Sequence, residues 1–163
     1  MEPKKQFLPT LLDRLIDDEP RLQQEHFDRF FFDARKMRAI VLRDVMSILN
    51  NANIENLLDE DRHKCVAESI VNFGLAPSIG SCTTQHNWGS AEKIIREAIL
   101  RFEPRIIPES LRITLPNGQG EPFKNGMILF EIQGLIYWDP YPIDLAAKYV
   151  YDRENDKIVL KQS

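Results

Sequence analysis

The spacing of apolar residues changes at Phe102-Glu103-Pro104-Arg105, and this change limits the folds open to the chain. Upstream, apolar residues recur every three or four positions from Ser90 to about Phe102, which predicts a helix with one apolar face. Downstream, apolar and polar residues alternate between Ser110 and Leu115, which predicts a strand. Pro104 ends the helix, because a residue that precedes proline disfavours the α conformation. The pattern therefore predicts helices first and strands afterwards.

Three further helical segments are predicted upstream. A short amphipathic stripe near the N-terminus comprises Leu8, Leu11, Leu12, Leu15 and Ile16. Asp33 is suited to cap a helix that runs to about Asn50. Asp59 is suited to cap another that runs to Phe73, and its inward-facing residues would be Val66, Ile70 and Phe73. Residues 76–89 are rich in Ser, Thr, Gly and Asn and are predicted to form a loop.

The second half of the chain predicts three more strands. They cover Met127–Tyr137, Ile143–Tyr151 and Lys157–Gln162. Gly134 lies inside the first of them and suggests a bulge or a close backbone approach. Because no helical segment separates the strands, the sheet should be mainly antiparallel. We expect an α+β fold with N-terminal helices packed on one face of a mainly antiparallel, about four-stranded sheet.

Length and composition limit the classes of function and the cellular compartments that fit this chain. The chain has 163 residues and a net charge of −4, which argues against a nucleic-acid-binding protein, since these usually carry a basic excess. No apolar run approaches the ~18 residues of a spanning helix, so we expect no direct membrane insertion. Two cysteines, Cys65 and Cys82, indicate a reducing cytosol. The length predicts one domain, residues 34–163, preceded by an amphipathic docking segment, residues 1–33.

The sequence predicts no cofactor, no metal site and no catalytic residue. His63 and Cys65 would point about 200° apart on a helix, which is a poor geometry for one metal ion. Glycoside hydrolysis requires two carboxyl groups, one with a raised pKa. Glu103 stands beside Arg105, and a neighbouring cation lowers a carboxyl pKa. Glu131 falls on the polar face of its strand, so it does not complete a catalytic pair.

Two features near the middle and the start of the chain are candidates for binding another protein. Glu103 and Arg105 sit on a proline-fixed corner, where they could make charge-assisted contacts with a partner or remain two solvated charges. We expect the pair to hold a partner and not the fold, so Arg105→Ala should leave the melting temperature nearly unchanged, because an exposed charge contributes under about 1 kcal/mol to folding. Phe27, Phe30, Phe31 and Phe32 could remain exposed until a partner covers them or could pack on the domain.

A sheet edge is the third candidate surface. Unpaired backbone groups at an edge can accept a strand from another chain. Ile143–Tyr151 and Lys157–Gln162 are both possible edges, and the order of the strands is not determined by their spacing. We expect the backbone N–H group of Val159 to serve a docking strand, which a proline at this position would block.

Five segments together resemble the TssE family of type VI secretion baseplate subunits and the related wedge proteins of contractile phage tails, historically labelled lysozymes. The resemblance covers nearly the whole chain. The segments, in family order, are Leu11-Leu12-Asp13-Arg14-Leu15, Arg43–Asn50, Ser69–Leu75, Ile99–Ile106 and Leu129–Gly134. The third has Phe where the family motif has Tyr, and the fourth has Ile where the FEPRL signature has Leu. Residues 17–33 are more aromatic than the family pattern, so no role carries over to their phenylalanines.

The resemblance implies a non-enzymatic scaffold in the baseplate wedge. It implies contacts with wedge subunits of the TssF, TssG and TssK type and with sheath subunits of the TssB and TssC type, at the cytoplasmic face of the inner membrane. The partner-binding residues would be Glu103, Pro104 and Arg105, joined by Leu11, Leu12, Asp13, Arg14 and Leu15. Two alternatives stay open: a muramidase that acts on cell-wall glycan, and an anti-adaptor that binds a response regulator.

Overall fold

The chain places its helices before its strands, in the predicted order. A computed structural model describes residues 10–15, 20–21, 33–59, 61–77, 88–116, 123–124 and 126–161. The helices are α1 (Leu11–Leu15), α2 (Ala34–Leu49), α3 (Lys64–Ala67) and α4 (Trp88–Phe102). The strands are β1 (Arg112–Thr114), β2 (Phe123–Lys124), β3 (Met127–Ile136), β4 (Ile143–Asp152) and β5 (Lys157–Leu160). Within these ranges, no helix is both long and apolar enough to cross a membrane.

Several predicted features lie outside the described residues. They are Leu8, Ile16, Gln162, the four phenylalanines between Phe27 and Phe32, and most of the predicted loop, residues 78–87. The roles suggested for these residues therefore stay predictions.

Helix α2 follows the predicted pattern closely. The Asp33 side chain accepts a hydrogen bond from the Lys36 N–H group at 2.7 Å, which satisfies one of the free donors at the helix start. One apolar face is buried: Met37, Ile40, Val41, Val45, Ile48 and Leu49. Helix α4 buries its own stripe in the same core: Ala91, Ile95, Ala98 and Ile99. Both helices are therefore held by burial of a helical-period stripe.

The predicted helix from Asp59 to Phe73 is wrong. Asp59 does cap a turn, since its side chain accepts from the Asp61 and Arg62 N–H groups. However, α3 ends at Ala67 and a 3₁₀ turn covers Ile70–Asn72. Buried Asn72 explains the break: its amide donates to the Ala67 carbonyl at 3.1 Å and accepts from the Ile54 N–H group at 2.9 Å. Such side-chain bonds offer the backbone an alternative to a helix.

The strands form one antiparallel sheet in the order β1-β3-β4-β5. Strand β2, which the spacing did not predict, pairs with the start of β3 on the same side as β1. Side chains alternate between the two faces. The face that carries Ile128, Phe130 and Ile132 is buried, with α4 packed on β1 and α2 packed on β4 and β5. This confirms the predicted α+β architecture with helices on one face.

Gly134 does not mark a bulge. The pairing of β3 with β4 runs without interruption through Gly134 and Leu145. A Cβ atom on this glycine would lie 3.6 Å from the Leu111 Cα atom, which is ordinary van der Waals contact. Neither the strand pairing nor the neighbouring atoms therefore require a glycine at this position.

Candidate protein-binding surfaces

The corner at Glu103-Pro104-Arg105 is fixed by both the helix and the sheet. The Glu103 N–H group still donates to the Ile99 carbonyl of α4 at 2.8 Å. Two residues later, the Arg105 carbonyl accepts from the Tyr137 N–H group at 2.8 Å, just after β3. Pro104 is exposed between these two attachments. The backbone at the corner is therefore anchored on both sides, as the proline and the change of period predict.

The side chain of Glu103 is buried, contrary to the expectation of two solvated charges. It is only 1% exposed. Its carboxylate accepts from the Arg105 Nε atom at 2.6 Å and the Arg105 Nη2 atom at 2.5 Å, in a bidentate pair. It also accepts from the Arg105 backbone N–H group at 3.2 Å. A buried carboxylate requires such compensation, so this pair is part of the fold.

Arg105 joins this pair to helix α2. Its Nη2 atom lies 2.5 Å from the Asp44 carboxylate, and its side chain is 25% exposed. Burial disfavours the charged guanidinium, but the hydrogen bonds that it donates to Glu103 and Asp44 outweigh burial and raise the pKa of Arg105 above its ordinary value. The Nη1 atom is buried and has no hydrogen-bond partner among the described residues.

The ionic contacts continue from Asp44 to the N-terminal helix. Arg43 donates to Asp44 through Nε at 2.9 Å and to Asp13 of α1 through Nη1 at 2.6 Å. The Asp13 side chain is only 8% exposed. The chain of contacts Glu103-Arg105-Asp44-Arg43-Asp13 therefore connects two segments that the sequence singled out separately.

Helix α1 presents its leucines to solvent. Leu11, Leu12 and Leu15 are 71%, 55% and 72% exposed. Arg14 lies in the same helix, between the anchoring Asp13 and Leu15. Three exposed leucines on one short helix are unusual unless another surface covers them. The contact between Asp13 and Arg43 holds this apolar ridge against α2.

We predict that acid releases α1 from α2. Burial raises the pKa of Asp13, but the hydrogen bonds from Thr10 and Arg43 outweigh burial and hold it below its ordinary value of 3.8. A lowered folded-state pKa stabilises the docked helix above pH 3.8 and loses that contribution as the pH falls through the folded pKa. The protection factors of residues 11–15, which compare exchange with the intrinsic rate at the same pH, should therefore fall below about pH 3.8.

Asp13→Asn provides the control for this prediction, because it removes the titrating group. The variant should show faster exchange of residues 11–15 already at neutral pH, since an ion pair of this exposure is worth about 1 kcal/mol or less. Equal exchange in the variant and the wild type at pH 7 would contradict the anchoring role of Asp13.

The sheet edge beside β4 is occupied by β5. Strand β5 pairs with the second half of β4, from Tyr149 to Asp152. The Lys161 N–H group donates to the Lys148 carbonyl at 2.8 Å. Hydrogen-bonded pairs recur every second residue in an antiparallel ladder, so Val159 also directs its N–H group towards β4.

The expectation that the Val159 N–H group is free to bind a docking strand is therefore wrong. Its N–H group serves the internal ladder, and a proline there would break the pairing of β4 with β5. Its side chain remains 45% exposed on the face away from the helices. Of the two candidate edges, β4 is internal along its second half and β5 is the outer strand.

Metal binding and acid catalysis are two further chemistries to consider within the described ranges. No group of three or more His, Cys, Asp or Glu side chains there is placed to hold a metal ion. Both Glu103 carboxylate oxygens accept from Arg105, so this acid is engaged in an ion pair. The spacing did not reveal Asp44 as the second carboxylate partner of Arg105, because that contact joins residues 61 positions apart.

Comparison with known proteins identifies the family. Residues 35–141 match the family model described as baseplate wedge protein gp25. Searches among curated proteins and among solved structures found no significant match. The matched residues run from α2 to the turn before β4, and they include Asp44 and the Glu103-Pro104-Arg105 corner. The chain belongs to the baseplate wedge protein gp25 family, the family of structural baseplate components to which TssE subunits also belong.

Proposed function

We propose that this chain is a structural subunit of a type VI secretion baseplate, where it binds wedge subunits and nucleates the contractile sheath. The family supports a structural role in a baseplate and contacts with other baseplate components. The observation that carries the finer proposal is the ridge formed by Leu11, Leu12 and Leu15. It lies outside the apolar core, yet Asp13 and Arg43 hold it in a defined place.

The proposed wedge-binding surface combines this ridge with the corner. Pro104 is exposed, and Arg105 keeps a quarter of its side chain accessible. Leucines that are covered on binding contribute about 1.5–3 kcal/mol each when fully buried. The wedge partners are subunits of the TssF, TssG and TssK type, and assembly takes place at the cytoplasmic face of the inner membrane.

The proposed sheath-binding surface is the sheet edge on the β4 and β5 side. An edge strand can accept an incoming strand through its backbone groups, without demanding particular side chains. The partners at this surface are subunits of the TssB and TssC type. This proposal gives the protein two separate binding surfaces, one for the wedge and one for the sheath.

Muramidase activity is not part of the proposal. A general acid must donate a proton from a carboxyl group with a raised pKa, whereas Glu103 is bound bidentately by a guanidinium. A cell-wall turbidity assay with the purified protein should show no clearing above buffer. Clearing that depends on the folded protein would restore the enzymatic alternative.

Co-purification with wedge subunits tests the proposed function. Replacing Leu11, Leu12 and Leu15 together with serine should lower the recovery of the wedge subunits at least tenfold, because about 1.4 kcal/mol corresponds to a factor of ten. The melting temperature should change little, since all three side chains are exposed.

A matched control replaces three other exposed apolar residues with serine. Leu57, Ile70 and Val71 are 76%, 71% and 82% exposed and lie in two 3₁₀ turns, Glu55–Leu57 and Ile70–Asn72. This control should bind the wedge subunits as the wild type does. If both triple variants bind like the wild type, the α1 ridge is not a docking surface.

A further inference from the structure

The outer edge of β5 is paired to a side chain instead of a strand. Asn50, which follows the last residue of α2, reaches Ile158 in the middle of β5. Its Oδ1 atom accepts from the Ile158 N–H group at 2.9 Å, and its Nδ2 atom donates to the Ile158 carbonyl at 2.9 Å. A side-chain amide therefore occupies both backbone groups of this residue, as a neighbouring strand would.

These two backbone groups are the ones that an incoming strand would need. Within β5, Lys157 and Val159 direct their backbone groups towards β4, whereas Ile158 and Leu160 direct theirs outwards. Ile158 is thus the first of two outward-facing residues in a strand that is only four residues long. With Ile158 occupied, Leu160 is the one outward-facing residue of β5 that follows it.

The position of Asn50 is fixed by its helix. The Nδ2 atom also donates to the Met46 carbonyl at 3.1 Å, in the last turn of α2. The Asn50 N–H group donates to the same carbonyl at 3.1 Å. The amide is therefore held at the edge before any partner arrives, and displacing it costs these contacts as well as the pair with Ile158.

The rest of this edge differs from β5. The first half of β4, Ile143–Ala147, extends beyond the end of β5, and no other described strand lies beside it on that side. Arg38 of α2 donates to the Ala146 carbonyl there at 3.2 Å from an exposed position, so an incoming strand would have to displace this single contact. An open groove of about 290 Å³ runs along Ala146, Ala147 and Leu160. Small alanine side chains leave room for another backbone to approach.

We infer that Asn50 is an edge guard, which closes β5 against pairing with a second copy of this chain and confines strand docking to the open half of β4. The first part concerns the protein alone. The second part rests on the proposed sheath-binding function. An unguarded edge is a template for self-association, and natural proteins cover such edges with polar groups or with other elements.

Asn50→Ala tests the guard directly, with Asn51→Ala as the matched control. Asn51 also bonds the preceding turn, through Nδ2 to the Ser47 carbonyl at 2.7 Å, whereas the bonds to the Ile158 backbone come from Asn50. In the wild type, exchange of the Ile158 amide should be slow. In Asn50→Ala it should accelerate on the order of fivefold relative to Asn51→Ala, since one hydrogen bond is worth about 1 kcal/mol.

Light scattering over a range of concentrations supplies the second measurement. Asn50→Ala should form larger oligomers at concentrations where the wild type and Asn51→Ala keep the oligomeric state that they have at low concentration. Faster Ile158 exchange without any added association would overturn the guard role. Unchanged Ile158 exchange in Asn50→Ala would overturn it too, because the amide would then not protect the edge.

Asn50→Asp keeps the test open if Asn50→Ala does not fold. The carboxylate can still accept from the Ile158 N–H group but cannot donate to its carbonyl. We expect the Ile158 amide to stay protected and association to stay at the level of the wild type, because the carboxylate keeps one bond to the edge and adds a charge there. Asn50→Asp that keeps Ile158 protected and yet associates more than the wild type would contradict the guard.

The confinement to β4 is tested with Ala146→Pro and purified sheath subunits. The Ala146 N–H group faces outwards, so proline there spares the ladder with β3 while blocking an incoming strand. Sheath binding that survives in the folded variant would overturn the confinement. If wild type and variant both fail to bind sheath subunits, the proposed function fails at this surface, whereas the exchange and scattering results on Asn50 still decide the guard.

Discussion

Replacing Arg105 with alanine should destabilise the fold by about 3 kcal/mol. The reason is the carboxylate that would remain: Glu103 is 1% exposed, and its two oxygens both accept from Arg105. Removing one member of a buried ion pair costs more than the pair contributes, because the remaining charge stays uncompensated. Arg105 is a quarter exposed, which places the expected loss near the lower end of the usual range. Urea denaturation of the purified variant measures it.

Two variants bracket this result. Arg105→Lys keeps the positive charge but cannot form the bidentate pair, so its loss of stability should be intermediate. Lys93→Ala breaks the exposed pair with Glu97, whose atoms are 3.8 Å apart, and should cost under about 0.5 kcal/mol. An Arg105→Ala variant as stable as Lys93→Ala would show that Glu103 is hydrated in solution. It would also restore the expectation that this corner serves binding alone.

Replacing Gly74 with alanine should cost about 3–5 kcal/mol, comparable to the loss at Arg105 or greater. Gly74 has a φ angle of +119°, a conformation that L side chains rarely adopt. A Cβ atom would lie 2.6 Å from the Asn51 carbonyl carbon. The clash involves backbone, which also holds Leu75 through a 2.8 Å hydrogen bond to the Asn51 carbonyl. Strain and overpacking therefore act together.

Gly126→Ala is the matched control for Gly74→Ala. Gly126 also has a positive φ, +74°, but a Cβ atom there would meet nothing closer than Glu154 at 3.9 Å. This variant should lose only about 1–2 kcal/mol, from the left-handed backbone conformation alone. Equal losses in the two variants would mean that the contact with Asn51 relaxes at little cost.

Local chemistry was sufficient where one segment determines its own structure. Helices α2 and α4 and strands β3 and β4 lie close to their predicted positions because each has a long, regular apolar period and clear end signals. The helix predicted from Asp59 to Phe73 is wrong because the buried Asn72 side chain hydrogen-bonds to the backbone of Ile54 and Ala67. Asn72 meets these partners only in the folded chain, so the local spacing of apolar residues does not predict the contacts.

The motifs alone were not sufficient to predict the contacts that build the candidate binding surfaces. The sequence by itself determined the proline-fixed corner, the N-terminal leucine ridge and the change from helix to strand, because each depends on residues close together in the chain. Only the tertiary structure decided that Glu103 is buried, that Asp13 and Asp44 share Arg43, and that Asn50 closes the β5 edge. Those contacts link residues up to 108 positions apart. These contacts form only when the helices pack against the sheet. Apolar spacing indicates which helix and strand faces meet, whereas the shapes of the packed side chains determine which polar groups come into contact.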